Sequence, residues 1–271
     1  MNQYASGDTL KPLTVLDLAA MKQGGEKIVA LTVYDASFCT VLDDAGVDVL
    51  LVGDSLGMVV QGHASTLPVT MDNMVYHTCC VSRARRRGFI IADLPFMSYP
   101  DCQVAAVNSA RLIAEGQAQM VKLEGARIEI IAYLVEQGIP VCGHLGLLPQ
   151  SINQLGRYRV QGQDNDAADK IYDDACQIEK AGARLLVLEC VPPALAARIT
   201  KQLSIPVIGI GAGVECDGQV LVLYDMLDIG ISKRPRFSKN YLVESDSISE
   251  AVKCYVEQVK NKQFPGSEHC Y

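Results

Sequence analysis

Polar side chains stand at the ends of otherwise apolar runs along this chain. Asp54 and Ser55 follow "VLLVG", Asp93 follows "FIIA", Lys122 and Glu124 alternate inside "MVKLEG", His144 follows "VCG" and Glu189 follows "LLVL". If the runs are neighbouring parallel strands, ~4.8 Å apart, Asp54, Asp93 and Glu124 can converge on one cation bound at about 2.1 Å. An all-carboxylate set suits Mg²⁺, with Mn²⁺ as a substitute, and leaves positions for water or substrate oxygens. A single such Asp would read as a cap on the next helix; carboxylates on three successive runs favour the metal.

Residues two apart on a strand share a face, so Lys122 and Glu124 point the same way and Lys122 can neutralise a substrate carboxylate beside the ion. The alternative, a snorkelling surface lysine, is weakened by the apolar neighbours Met120, Val121 and Leu123. Glu189 sits in an apolar setting that raises a carboxyl pKa, which suits a general base for abstracting a proton; a satisfied structural glutamate is the bland option. His144, and Tyr34 at the end of the first run, either orient a ligand or simply bond to neighbouring groups, and both readings stay open.

The elements that must position these residues alternate along the chain. Eight strand candidates run from "KIVALTVYD" through "VDVLLVGD", "GFIIADLPF", "AQMVKLEG", "IPVCGHLGL", "RLLVLECV" and "IPVIGIGAG" to "VLVLYDMLDI". Helical segments separate them, among them "DASFCTVLDDAG" from an Asp35 cap and "PDCQVAAVNSARLIAEG" from Pro100 to Gly116. This pattern is that of an α/β (β/α)8 TIM barrel, in which strand C-termini form the mouth. We expect one domain over residues 1–271 with a barrel core at about 27–230, an N-terminal helix "TVLDLAAMKQGG" closing the bottom and a C-terminal helical extension "SISEAVKCYVEQVKNKQ". A doubly wound sheet would open with a Gly-rich nucleotide loop after its first strand, and "VYDASFCT" is not one. The long stretch "GLLPQSINQLGRYRVQGQDNDA" after the fifth strand is expected to act as a lid.

A net charge of −7 argues against nucleic-acid binding, and the basic cluster Arg83, Arg85, Arg86 and Arg87 reads as the solvated end of a helix. The ten cysteines have no zinc spacing and read as reduced, structural thiols of a cytoplasmic protein. Apolar runs of strand length predict no membrane insertion.

Taken together, "VGDSLGMVVQGHASTLPVT", "ADLPFMSY", "MVKLEG", "PVCGHLGLLPQS", "LLVLECVP", "IPVIGIGAG", "CDGQVLVLYDML" and "FPGSEHCY" resemble the ketopantoate hydroxymethyltransferase family, in order, from about Lys27 onward. The resemblance implies an enzyme of pantothenate synthesis that carries one Mg²⁺ per subunit and assembles as a homodecamer. It would transfer the one-carbon unit of 5,10-methylenetetrahydrofolate to 3-methyl-2-oxobutanoate, giving 2-dehydropantoate. Carried onto this chain, it implies metal ligands at Asp54, Asp93 and Glu124, oxo-acid contacts at Asp54, Ser55, Asp93 and Lys122, and the base at Glu189. The chain departs from the family at Ala126 and Arg157, where the family often has glycine. A rival class, Mg²⁺-dependent carbon–carbon lyases of the isocitrate lyase and phosphoenolpyruvate mutase type, shares the sequence Cys-Gly-His, but its preceding lysine pair is absent here, where Ile139, Pro140 and Val141 stand.

Overall fold

A computed structural model describes residues 11–231 and 233–271. Eight parallel strands form a closed barrel in sequence order, so that β1 (Ile28–Thr32) pairs with both β2 (Val49–Val52) and β8 (Gly218–Leu221). Between them stand β3 (Phe89–Asp93), β4 (Met120–Glu124), β5 (Val141–Gly146), β6 (Leu185–Glu189) and β7 (Val207–Ile210). Their near-continuous Val, Ile and Leu content follows from burial on both faces, inward into the barrel and outward against helices. Each fully buried aliphatic side chain contributes roughly 1.5–3 kcal/mol.

The helices are, in chain order, α1 (Val15–Gly24), α2 (Ala36–Asp44), α3 (Leu56–Val59), α4 (Met71–Ala84), α5 (Cys102–Ala110), α6 (Ile128–Glu136), α7 (Ile152–Leu155), α8 (Asn165–Lys180), α9 (Pro193–Gln202), α10 (Leu223–Leu227) and α11 (Ile248–Lys260). Asp35 caps α2 as expected, accepting from the Phe38 N–H at 2.9 Å. The cap of α5 is Asp101, which accepts from the Val104 N–H at 2.9 Å, so the helix starts after Pro100 rather than at it. Its last turn loosens into a π-helix at Arg111–Glu115.

Helix α1 lies across the bottom of the barrel. Leu18 and Met21 are buried there, and Lys22 Nζ donates to Thr200 O at 2.9 Å and to Asp217 at 2.7 Å, just before β8. The arginine cluster meets the expectation in part: Arg83 lies exposed in the last turn of α4, which ends at Ala84, whereas Arg87 pairs with the buried Asp48 at 2.9 Å, at the end of the barrel opposite the mouth. The run "VLVLYDMLDI" is also not one strand. β8 stops at Leu221, and the Leu223 N–H leaves the ladder to donate to Thr32 Oγ1 at 3.0 Å, starting α10. Covering β1 and β8 then falls to α11, whose buried Tyr255 donates to Ala30 O and Gln219 O, both at 3.1 Å. The segment expected as an extension thus completes the helical ring. None of the described helices is long and apolar enough to cross a membrane.

Candidate active site

Strand register brings the mouth residues together. It sets Asp93 beside Lys122, Glu124 beside His144, and Gly146 beside Glu189. Partners in a parallel pair share a face, so these side chains project to one side. Asp54 joins them from the turn after β2, its N–H donating to Asp93 Oδ2 at 3.1 Å. Gly53 leaves room for this turn: a Cβ there would stand 2.9 Å from Ser55 Oγ and 3.5 Å from Asp93 Oδ2. Ser55 Oγ lies 2.9 Å from the Tyr34 hydroxyl, which donates to Thr32 Oγ1 at 2.8 Å.

Asp54, Asp93, Lys122 and Glu124 are each no more than 5 % exposed. Burial, reinforced by the charge of Asp93, pushes the Asp54 carboxyl up to about 7. Burial and then Asp54 hold Glu124 well above the usual carboxylate range. For Lys122, burial opposes the charge, but Asp93, Glu124 and Asp54 outweigh it and keep the ammonium protonated. Its Nζ is 3.1 Å from Asp93 Oδ1 and 3.4 Å from His144 Nδ1. Burial and that neighbouring ammonium press the His144 imidazole well below its ordinary value. Because a protonated lysine can only donate, the neutral ring carries its proton on Nε2. That atom faces Glu189 Oε2 at 3.3 Å without the alignment of a hydrogen bond. Burial lifts Glu189 to about 7, with Lys122 opposing the rise.

These groups border a cavity of about 670 Å³. Leu51, Val187, Ile210 and Val220 form its apolar floor, and Tyr158 and Arg159 of the long β5–α8 connection form part of its rim. Among the described residues, no group of His, Cys, Asp or Glu side chains already encloses a metal position. Gln150 links the carboxylates instead, its Nε2 donating to Asp54 Oδ2 at 2.8 Å and its backbone N–H to Glu124 Oε2 at 3.1 Å.

Sequence reasoning missed three residues at this mouth. Gln150 and its partner Tyr99 carry no charge, and their only signal was polarity inside "PVCGHLGLLPQS" and "ADLPFMSY". Asp225, which lines the cavity on α10 and is raised to about 6 by burial and then Glu189, was hidden in the supposed eighth strand.

Fold and site together define a (β/α)8-barrel enzyme with an acid-and-lysine cluster at its mouth. Solved structures share the fold: phosphoenolpyruvate phosphomutase from Streptomyces platensis has a TM-score of 0.60 at 11% identity, covering 80% of this chain and 83% of that one. A phosphonopyruvate hydrolase solved with oxalate and Mg²⁺ has a TM-score of 0.58 at 12% identity, over 78% and 81% of the two chains. At such identities the likeness is one of fold alone.

The chain belongs to the ketopantoate hydroxymethyltransferase family, whose sequence profile matches residues 12–267. It is 55% identical over 261 residues to the 3-methyl-2-oxobutanoate hydroxymethyltransferase of Marinobacter nauticus, covering 96% of this chain and 98% of that one. The enzyme of the same name from Thiobacillus denitrificans is 56% identical over 263 residues, covering 96% and 100%.

Proposed function

We propose that this enzyme transfers a hydroxymethyl group to 3-methyl-2-oxobutanoate, forming 2-dehydropantoate, with 5,10-methylenetetrahydrofolate as the one-carbon donor. The observation that carries the site assignment is the gathering of Asp54, Asp93, Glu124 and Lys122 at the mouth, with Glu189 facing the same cavity. That cavity, at about 670 Å³, exceeds what a five-carbon acid needs and leaves space for part of a folate.

Asp54, Asp93 and Glu124 would hold Mg²⁺. The donor set fits a hard cation: three carboxylates are buried together with one ammonium, Lys122, whose Nζ is 3.1 Å from Asp93 Oδ1, and after burial itself the neighbouring charges of Asp93 and Asp54 raise the Asp54 and Glu124 carboxyls respectively. Bound there, the ion supplies Lewis acidity toward the keto oxygen. Lys122 holds the substrate carboxylate by charge, and Ser55 by its hydroxyl proton, which turns from the Tyr34 oxygen to the carboxylate when substrate binds. Glu189, titrating near neutrality, takes the proton from the third carbon. Water releases the one-carbon unit from the folate as formaldehyde, its oxygen going to the carbon as both C–N bonds break and the two nitrogens take its protons. The electron pair left on the third carbon then forms the new bond to the formaldehyde carbon, and the carbonyl pair moves onto oxygen and takes the proton from Glu189 to give the hydroxymethyl group.

We further read residues 1–271 as a single domain acting in the cytoplasm, which agrees with ten free thiols. The homodecamer rests on the family resemblance, and exposed apolar side chains such as Tyr76 on α4 and Val107 on α5 would be available for subunit contacts. An assay with 5,10-methylenetetrahydrofolate and 3-methyl-2-oxobutanoate, with and without Mg²⁺, tests the reaction. Mg²⁺-dependent dehydropantoate formation is expected, and its absence with intact, folded protein would end the proposal.

A further inference from the structure

One neutral residue, through its side chain and its backbone, ties together the ends of four successive strands. Gln150, 7 % exposed, follows β5. Its Nε2 donates to Asp54 Oδ2 beyond β2 at 2.8 Å and to Leu94 O beyond β3 at 2.9 Å, while its backbone N–H reaches Glu124 Oε2 at the end of β4 at 3.1 Å. The amide cannot turn over without setting its carbonyl against the Asp54 carboxylate. Tyr99 fixes the same orientation from the other side, its hydroxyl donating to Gln150 Oε1 and accepting from the Glu124 N–H at 3.3 Å.

The result is a division of labour among carboxylate oxygens. Asp54 Oδ2 and Glu124 Oε2 are held by Gln150, and Asp93 Oδ2 by the Asp54 N–H. Each acid keeps one oxygen for a ligand. Asp93 Oδ1 accepts no aligned hydrogen bond and faces the Lys122 ammonium at 3.1 Å, and Glu124 Oε1 lies 3.8 Å from His144 Nδ1.

We infer that Gln150 is a positioning residue: through its side-chain amide and backbone N–H it turns Asp54 and Glu124 so that each presents one free oxygen to a divalent cation. This role rests on the reading of those carboxylates as metal ligands. It also roots the β5–α8 connection, whose Tyr158 and Arg159 rim the cavity, directly on the ligand set. A residue that merely stapled this loop would contribute stability and leave cation affinity alone.

The test measures Mn²⁺ binding to metal-free, full-length protein by electron paramagnetic resonance, without substrates. Gln150→Met preserves volume and removes the side-chain donors to Asp54 and Leu94, and its Mn²⁺ affinity should fall about tenfold, as for other groups that orient metal ligands. Tyr99→Phe keeps the glutamine but removes one of the three hydrogen bonds that hold its amide, and a loss of about fivefold is expected, the worth of one hydrogen bond. A folded Gln150→Met variant with wild-type affinity reduces Gln150 to a staple and overturns the inference. Should that variant fail to fold, unchanged affinity in Tyr99→Phe does the same. Wild-type protein that binds no Mn²⁺ at this cluster removes the metal reading itself, and the positioning role with it.

Discussion

Replacing Glu189 by glutamine should make the enzyme more stable and nearly inactive. Burial raises the Glu189 carboxyl from 4.5 to about 7, so the folded state binds its proton more tightly than the unfolded chain does. That contribution to stability is complete below pH 4.5 and is lost as pH rises through 7. The cost of carrying the charge is roughly 1 kcal/mol at pH 5.5 and roughly 3 kcal/mol at pH 8.5, taking about 1.4 kcal/mol for each tenfold change. A neutral glutamine side chain would carry no such cost. At about 2 °C per kcal/mol or more for a chain of this size, the metal-free variant should melt several degrees above wild type at pH 8.5 and only slightly above it at pH 5.5. Exchange of the substrate's C3 proton for deuterium, followed by NMR without folate, should slow by about 10²–10⁴-fold, with Mn²⁺ affinity retained. Wild-type kcat/KM should climb with pH and level off above about 7, where the free carboxylate is the base. Equal melting differences at both pH values would refute the buried-charge reasoning, and undiminished exchange would assign the base to another group.

The other charged positions separate by different readouts. Asp93→Asn keeps the shape but removes the charge of a carboxylate whose buried Oδ1 accepts no aligned hydrogen bond, so Mn²⁺ affinity should drop at least about tenfold; unchanged affinity would strike Asp93 from the ligand set. Lys122→Met leaves three buried carboxylates uncompensated and should destabilise the metal-free enzyme by about 3–5 kcal/mol at pH 8, less at pH 5.5 where Asp54 and Glu124 take up protons. Urea unfolding at both values measures this, and an equal loss at each would contradict it. Gly146→Ala drives a Cβ far inside contact distance of Glu189 O at a φ of +92°, so it should displace Glu189 and lower kcat while sparing cation binding. Normal turnover in this variant would mean that the end of β6 adapts freely.

The barrel was legible because its signals are local. Near-continuous apolar runs mark strands buried on both faces, and polar residues at their C-terminal ends mark the mouth, so Asp54, Asp93, Lys122, Glu124 and Glu189 could be picked out before any contact was known. The boundary errors were local as well. Nothing in "VLVLYDMLDI" distinguishes a strand that continues from one that ends at Leu221, because the deciding bond, Leu223 N–H to Thr32 Oγ1, spans 191 residues. Asp225 was misread for the same reason.

Residue types at strand ends therefore determined the kind of chemistry available: hard-cation ligands, one cation for an anionic substrate, and a carboxylate base. Tertiary structure decided which oxygen of each acid faces the cavity, which tautomer His144 adopts, and that a neutral glutamine 96 positions from Asp54 shares its carboxylate. Those outcomes depend on hydrogen bonds and burial that exist only once the ring of strands has closed, since no segment of the chain contains both partners.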